Sequence, residues 1–140
     1  MTADKEVTRN AVLGYFEVIS KVNNQGIEES LAFMTDDVVW ENPKSIKSGG
    51  VFKGKNAIRE MLVGAINEVY EPNSMQQFNR KTIVEGPYAV CTFDTTAMTK
   101  RGRPYSQHFA IEFEVNEQGK ISLIRENFDT LMFHNVVFAD

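Results

Sequence analysis

Cysteine is nearly missing from the 140-residue chain: Cys91 is the only one. One thiol cannot build an internal disulfide framework, and it suits a reducing compartment, so a cytoplasmic location is expected. Long apolar runs are missing too. None approaches the roughly 18 residues that span a bilayer, so no membrane segment is expected. The opening Met1-Thr-Ala-Asp-Lys-Glu6 has neither the basic head nor the apolar run of a secretory leader. Positive charge is in deficit, with 15 Lys and Arg against 19 Asp and Glu. Nucleic acid wants a basic face, so it is not an expected partner. Two histidines, Cys91 and scattered acids give no metal-ligand spacing. Gly49-Gly50 and Gly54 fit neither the phosphate-loop nor the dinucleotide pattern. No metal and no cofactor are expected.

What remains is an ordinary globular composition, 42% hydrophobic, long enough for one domain over residues 1–140 with a real core. Val7, Ala11, Tyr15, Val18 and Val22 recur at helical spacing and predict a helix from about Asp4 to Asn23, stopped by Asn23-Asn-Gln-Gly26. A short helix is expected from Ile27 to about Met34, then a strand over Val38–Asn42 ended by Pro43. Val51–Gly54 reads as a short strand. A third helix is expected from about Asn56 to Tyr70. Four strands follow: Met75–Glu85, Tyr88–Thr99, Arg103–Val115 and Lys120–Phe133. The tail from Asn135 to Asp140 carries Val136, Val137 and Phe138, too apolar to hang free, and is expected to pack on the body or on a partner subunit. Lys100-Arg-Gly-Arg103 reads as a basic hairpin tip in solvent. Helices first and a meander afterwards indicate an α+β fold.

The last strand holds the most informative residue. Its alternation puts Ser122, Ile124, Glu126 and Phe128 on one face and Ile121, Leu123, Arg125 and Asn127 on the other. Glu126 thus stands between two apolar side chains. Such a carboxylate is either a paired structural charge, with Arg125, Arg59 or a helix end as partner, or a tuned acid–base group.

Met34-Thr-Asp-Asp-Val-Val-Trp-Glu-Asn-Pro43, Gly54-Lys-Asn-Ala-Ile-Arg59 and Gln118-Gly-Lys-Ile121 together resemble the nuclear-transport-factor-2-like superfamily. Within it, the SnoaL-like polyketide cyclases, ketosteroid isomerases and limonene-epoxide hydrolases are the nearest in pattern. The resemblance covers residues 7 to 130. It implies a cone of three N-terminal helices packed on a curved, mostly antiparallel sheet, with a pocket between them that takes an apolar small molecule. It also implies a homodimer paired through the sheet.

The resemblance further implies site residues. Glu126 lies five residues after the isoleucine that opens the last strand, where cyclase-like and hydrolase-like members carry an acid–base aspartate. Asn42 replaces the proton-moving aspartate of the isomerases and cannot titrate. Trp40 and Asn42 match a tyrosine and an asparagine that hold water in the hydrolases. Asp94 falls on one acid of the hydrolase triad, but its bridging arginine would fall at Thr92. His108 falls near an oxyanion-hole position, although strand parity groups it with Glu112 and Glu114, away from Phe109, Ile111 and Phe113. Tyr15 matches a helix-one tyrosine. Glu126, His108, Asp94 and Asn42 are therefore the candidate catalytic residues, and Tyr15, Trp40, Phe128 and Leu62 the candidate ligand contacts. The expected activity is cofactor-free acid–base chemistry of cyclase or isomerase type on an apolar carbonyl compound. The alternatives are an epoxide hydrolase-like reaction using Glu126 and Asn42, and a non-catalytic binding or assembly module.

Overall fold

In the computed structural model, which describes residues 3–140, Asp4 accepts a hydrogen bond from the Val7 amide at 2.9 Å and so starts helix α1, Lys5–Ile19. Met1 and Thr2, the first two residues of the Met1–Glu6 stretch that lacks leader character, lie outside the described residues. The Asn23–Gly26 stretch expected to stop α1 instead starts the next helix. The Asn23 side chain accepts from the Gly26 amide at 2.7 Å and caps α2, Asn24–Leu31. Strand β1, Met34–Glu41, turns back through Asn42–Gly50 into β2, Val51–Lys53. Gly54, at a φ of 85° that disfavours a Cβ, then opens α3, Lys55–Gly64, which continues into a wide π-helical turn over Ala65–Val69. Strands β3 (Gln76–Glu85), β4 (Tyr88–Met98), β5 (Pro104–Val115) and β6 (Ile121–Asn127) follow, then α4 (Thr130–Phe133) and a second π-helical turn, His134–Phe138.

The six strands form one sheet in the order β2-β1-β6-β5-β4-β3. The β1–β6 pair is parallel and the rest are antiparallel. This corrects the expected cone of three N-terminal helices on a curved sheet. Only α1 and α2 precede the first strand, α3 follows β2, and helices stand at both ends of the chain. The sheet is mixed and open, with β2 and β3 as free edges. The physical cause is the inward alternation of Val38 and Trp40, which makes that segment a strand ahead of α3 in the chain. No helix among the described residues is long and apolar enough to cross a membrane.

One face of the sheet carries the core. Phe93, Ile111, Phe113 and Ile124 are buried there against Val12, Tyr15 and Phe16 of α1. Rings of Tyr15, Phe16, Phe93 and Phe113 meet edge-on at 5.2–5.7 Å between centroids, a favoured aromatic geometry. Ile121 and Ile124 are both fully buried, although simple alternation sets them on opposite faces. A bulge resolves this: Leu123 pairs with Glu114 and Ile121 with Val115, so Ser122 is an extra residue that restores Ile121 to the core. The last strand is also shorter than expected, because Asp129 accepts from the Met132 amide and caps α4.

Candidate functional site

Parallel pairing of β1 with β6 sets Trp40 beside Ile124 and Glu41 beside Arg125. Trp40 therefore shares the inward face with Glu126. Its indole N–H is divided between two acceptors, Glu126 Oε1 at 2.8 Å and Asn42 Oδ1 at 3.0 Å. Three residues that are 86 positions apart at the extremes thus become one hydrogen-bonded unit. They line a cavity of about 500 Å³ between the sheet, α1, α3 and the C-terminal turn. Tyr15, Leu62 and Phe128 line it too, so six of the eight expected site residues come together.

The cavity wall is overwhelmingly apolar: Phe16, Ile19, Phe52, Met61, Ile66, Phe93, Phe109 and Phe133 contribute. Among the described residues, no Lys, Arg or His lines it. Both expected cationic partners of Glu126 are engaged elsewhere. Arg125 faces the other side of the sheet, where its Nε meets Glu41 at 2.5 Å and its Nη1 meets Glu112 at 3.5 Å. Arg59 pairs with Glu28 at 2.5 Å. The paired-charge reading of Glu126 fails on this geometry. Burial pushes its carboxyl up to about 7, against a smaller opposing pull from the Trp40 N–H. Burial, and then the nearby Glu126, hold the Tyr15 phenol far above its ordinary range, so it stays a neutral O–H donor. Tyr105 is pushed up to about 12, chiefly by burial, and Tyr70 is shifted upward for the same leading reason.

His108 and Asp94 are not part of this group. The β4–β5 register runs unbroken from Tyr88–Glu114 to Met98–Pro104, pairing Asp94 with His108 on the outer face. His108 Nδ1 lies 2.7 Å from Asp94 Oδ1, and Asn79 donates to Asp94 Oδ2 at 3.0 Å. These bonds, that of His108 first, hold the Asp94 carboxyl below its ordinary range. No bulge turns His108 inward, and Thr92 shares that outer face with Asp94. The acid–arginine–acid arrangement of a hydrolase is therefore not assembled in the cavity.

The C-terminal tail packs on the body, as one of the two expected arrangements. Phe133, Val137 and Phe138 close part of the cavity wall. The hairpin tip read as solvated holds it there: Arg101 donates to the Val137 carbonyl at 3.0 Å, and Arg103 to those of Asn135 and Ala139 at 3.1 and 2.5 Å. Cations at the end of a helical turn also complement its dipole. Sequence reasoning missed Tyr70, Tyr105, Gln77 and Thr95 as cavity residues. For Thr95 the signal was present, because it alternates with Phe93 and Ala97 on the inward parity of β4.

Comparison with known proteins agrees with this architecture. No protein of curated function matches the chain. Many solved structures share its fold, and three of them show the likeness. A nuclear-transport-factor-2-like protein of unknown function from Burkholderia pseudomallei has a TM-score of 0.81 at 18% identity, covering 95% of this chain and 98% of that one. The protein TerC, co-crystallised with polyporic acid, has a TM-score of 0.80 at 23% identity over 95% and 99%. A candidate polyketide cyclase from Xanthomonas campestris pv. campestris has a TM-score of 0.78 at 15% identity over 94% and 97%. At these identities the likeness is one of fold. The model of the SnoaL-like domain matches residues 12–124, nearly the whole span from α1 to β6, and the chain belongs to the SnoaL-like family.

Proposed function

We propose that the protein is a cofactor-free acid–base enzyme of cyclase or isomerase type, acting on an uncharged apolar compound with a carbonyl group. One observation carries the reading: Glu126 sits in an apolar cavity with, among the described residues, a single N–H donor and no cation, which poises its carboxyl near neutrality. A carboxyl so poised takes and returns protons at pH 7. As carboxylate, it removes a proton from the carbon next to the substrate carbonyl. The C–H electron pair becomes the enolate double bond, and the carbonyl oxygen gains negative charge. Tyr15 O–H and the Asn42 amide N–H groups are the donors for that oxygen, in a wall otherwise too dry to solvate it. Return of the proton to another carbon isomerises the substrate; attack of the enolate carbon on a second carbonyl closes a ring.

The test is deuterium exchange at the α-carbon of 6-methoxy-2-acetonaphthone in D2O, followed by proton NMR. The wild type is expected to accelerate exchange, and Glu126→Gln to slow it at least about 100-fold. Equal rates in the two proteins would rule out Glu126 as the base. Binding of the ketone with no exchange in either would leave a non-catalytic ligand carrier. A homodimer through the outer sheet face belongs to the same reading. Ile83 is 71% exposed there, paired across the strands with Val90. Sedimentation should show a dimer that Ile83→Glu dissociates; a monomeric wild type would end that part.

A further inference from the structure

Among the described residues, two polar atoms in the cavity wall have no partner. Thr95 Oγ1 and Gln77 Oε1 are buried and make no hydrogen bond, and both residues line the cavity. Thr95 is 1% exposed. They face each other directly across the β3–β4 pair, which places their Cβ atoms about 5 Å apart on the same inward face. An unsatisfied buried polar atom costs free energy, so two at one spot form an uncommon arrangement in a wall of aromatic and aliphatic groups. The site is remote from Glu126. Along β5, Ile111 pairs with Glu126 and Gln107 pairs with Thr95, four residues apart, with β6 and β4 on opposite sides of β5. That is about 13 Å along the strands and about 10 Å across them.

We infer that Thr95 and Gln77 form a distal anchor for a hydroxyl group, so the ligand is an elongated aromatic hydroxy-ketone whose carbonyl end lies at Glu126. The inference rests on the acid–base reading for the identity of the carbonyl end. The chemistry of the two atoms selects the other end. Gln77 Oε1 only accepts, whereas Thr95 Oγ1 accepts and donates. A ligand hydroxyl donates to the first and accepts from the second. An ether or a methyl group cannot donate, and a carboxylate would meet no cation. Between the anchors the cavity offers Phe93 and Phe109, stacked at 5.2 Å between centroids, a flat apolar wall suited to fused rings. Glu126 sets the chemistry; Thr95 and Gln77 set which molecule is long enough and which end enters first.

The experiment uses 6-hydroxy-2-acetonaphthone and its 6-methoxy ether, with binding followed by ligand fluorescence. The wild type is expected to bind the hydroxy compound about tenfold more tightly than the ether, the worth of one well-placed hydrogen bond. Gln77→Leu removes the acceptor that only a hydroxyl can use and should abolish that preference. Thr95→Val keeps the side-chain shape but removes a donor that either oxygen can use, and should weaken both compounds alike. In the free protein Thr95→Val should also raise Tm by about 3 °C, since it removes an unsatisfied hydroxyl. Equal affinity of the wild type for both compounds, or an undiminished preference in Gln77→Leu, would overturn the anchor. Binding with the expected preference but without α-proton exchange would sink the acid–base reading and leave the anchor standing. Failure of both compounds to bind would remove both.

Discussion

The two faces of the sheet treat glutamate in opposite ways. On the outer face Glu112 accepts from the Tyr88 hydroxyl at 2.5 Å and from Asn127 at 3.0 Å, with Arg125 nearby, and these contacts hold its carboxyl below the ordinary range. On the inner face Glu126 has one indole N–H, no cation and a dry wall, and its carboxyl is pushed up to about 7. Arg125 and Glu126 are neighbours in sequence, yet the pleat of β6 sends them to different environments. Charge on the outer face is neutralised and solvated. Charge on the inner face is held at the edge of existing. On the proposed acid–base reading, function is placed where the fold declines to stabilise an ion, and stability comes from the residues around it.

If the inner face supplies the stability, its truncation should dominate. Phe113→Ala, which empties a fully buried position against Tyr15 and Phe16, should cost about 3–5 kcal/mol in urea unfolding. A loss under 1 kcal/mol would mean the aromatic cluster is not the core.

Glu126 offers a change of the opposite sign. Its folded carboxyl lies above its value in the unfolded chain, so the native state binds the extra proton between about pH 4.5 and 7. Wild-type stability should therefore fall as pH rises through that window, by roughly 3 kcal/mol in all. Glu126→Gln should lack that fall and be the more stable protein at pH 8. A mutant less stable than wild type at pH 8 would mean the carboxylate has stabilising partners after all.

Trp40→Phe keeps a ring but removes the one donor to Glu126. The rising limb of a pH–exchange profile should then move to higher pH than in the wild type, because the pull that opposes burial is gone. An unmoved midpoint would show that the indole contact is incidental. The smallest effect is reserved for the outer face. Arg125→Ala breaks contacts with Glu41 and Glu112 that are part-exposed, and should cost no more than about 1 kcal/mol. A loss as large as that of Phe113→Ala would erase the contrast between the faces.

Much of the fold was legible because it rests on local periodicity. The stripe from Val7 to Tyr15 announced α1, and the alternations around Phe93 and Phe113 announced β4 and β5 within a residue or two. The inward facing of Glu126 was legible from the same alternation. His108 was legible in part: its parity gave the outer face, while the resemblance to isomerases suggested the cavity, and the unbroken register sided with parity. The helix boundary at Asn23 was misread because asparagine serves equally as a stop and as an N-cap, and only the Gly26 amide decides between them. The role of Arg101 and Arg103 was hidden, since a charged hairpin tip has the same composition in solvent or clasping a tail.

By itself the sequence determined which residues are apolar, at which period they recur, and hence that Glu126 would be set among hydrophobic neighbours; whether Arg125 or Arg59 would neutralise it stayed open. Tertiary structure alone decided that β1 pairs in parallel with β6, bringing Trp40 and Asn42 to Glu126 across 86 positions. It alone left Thr95 and Gln77 facing the cavity with nothing to bond. The reason is that side-chain alternation is fixed within a strand, whereas the choice of partner strand and register is a property of the whole packed sheet.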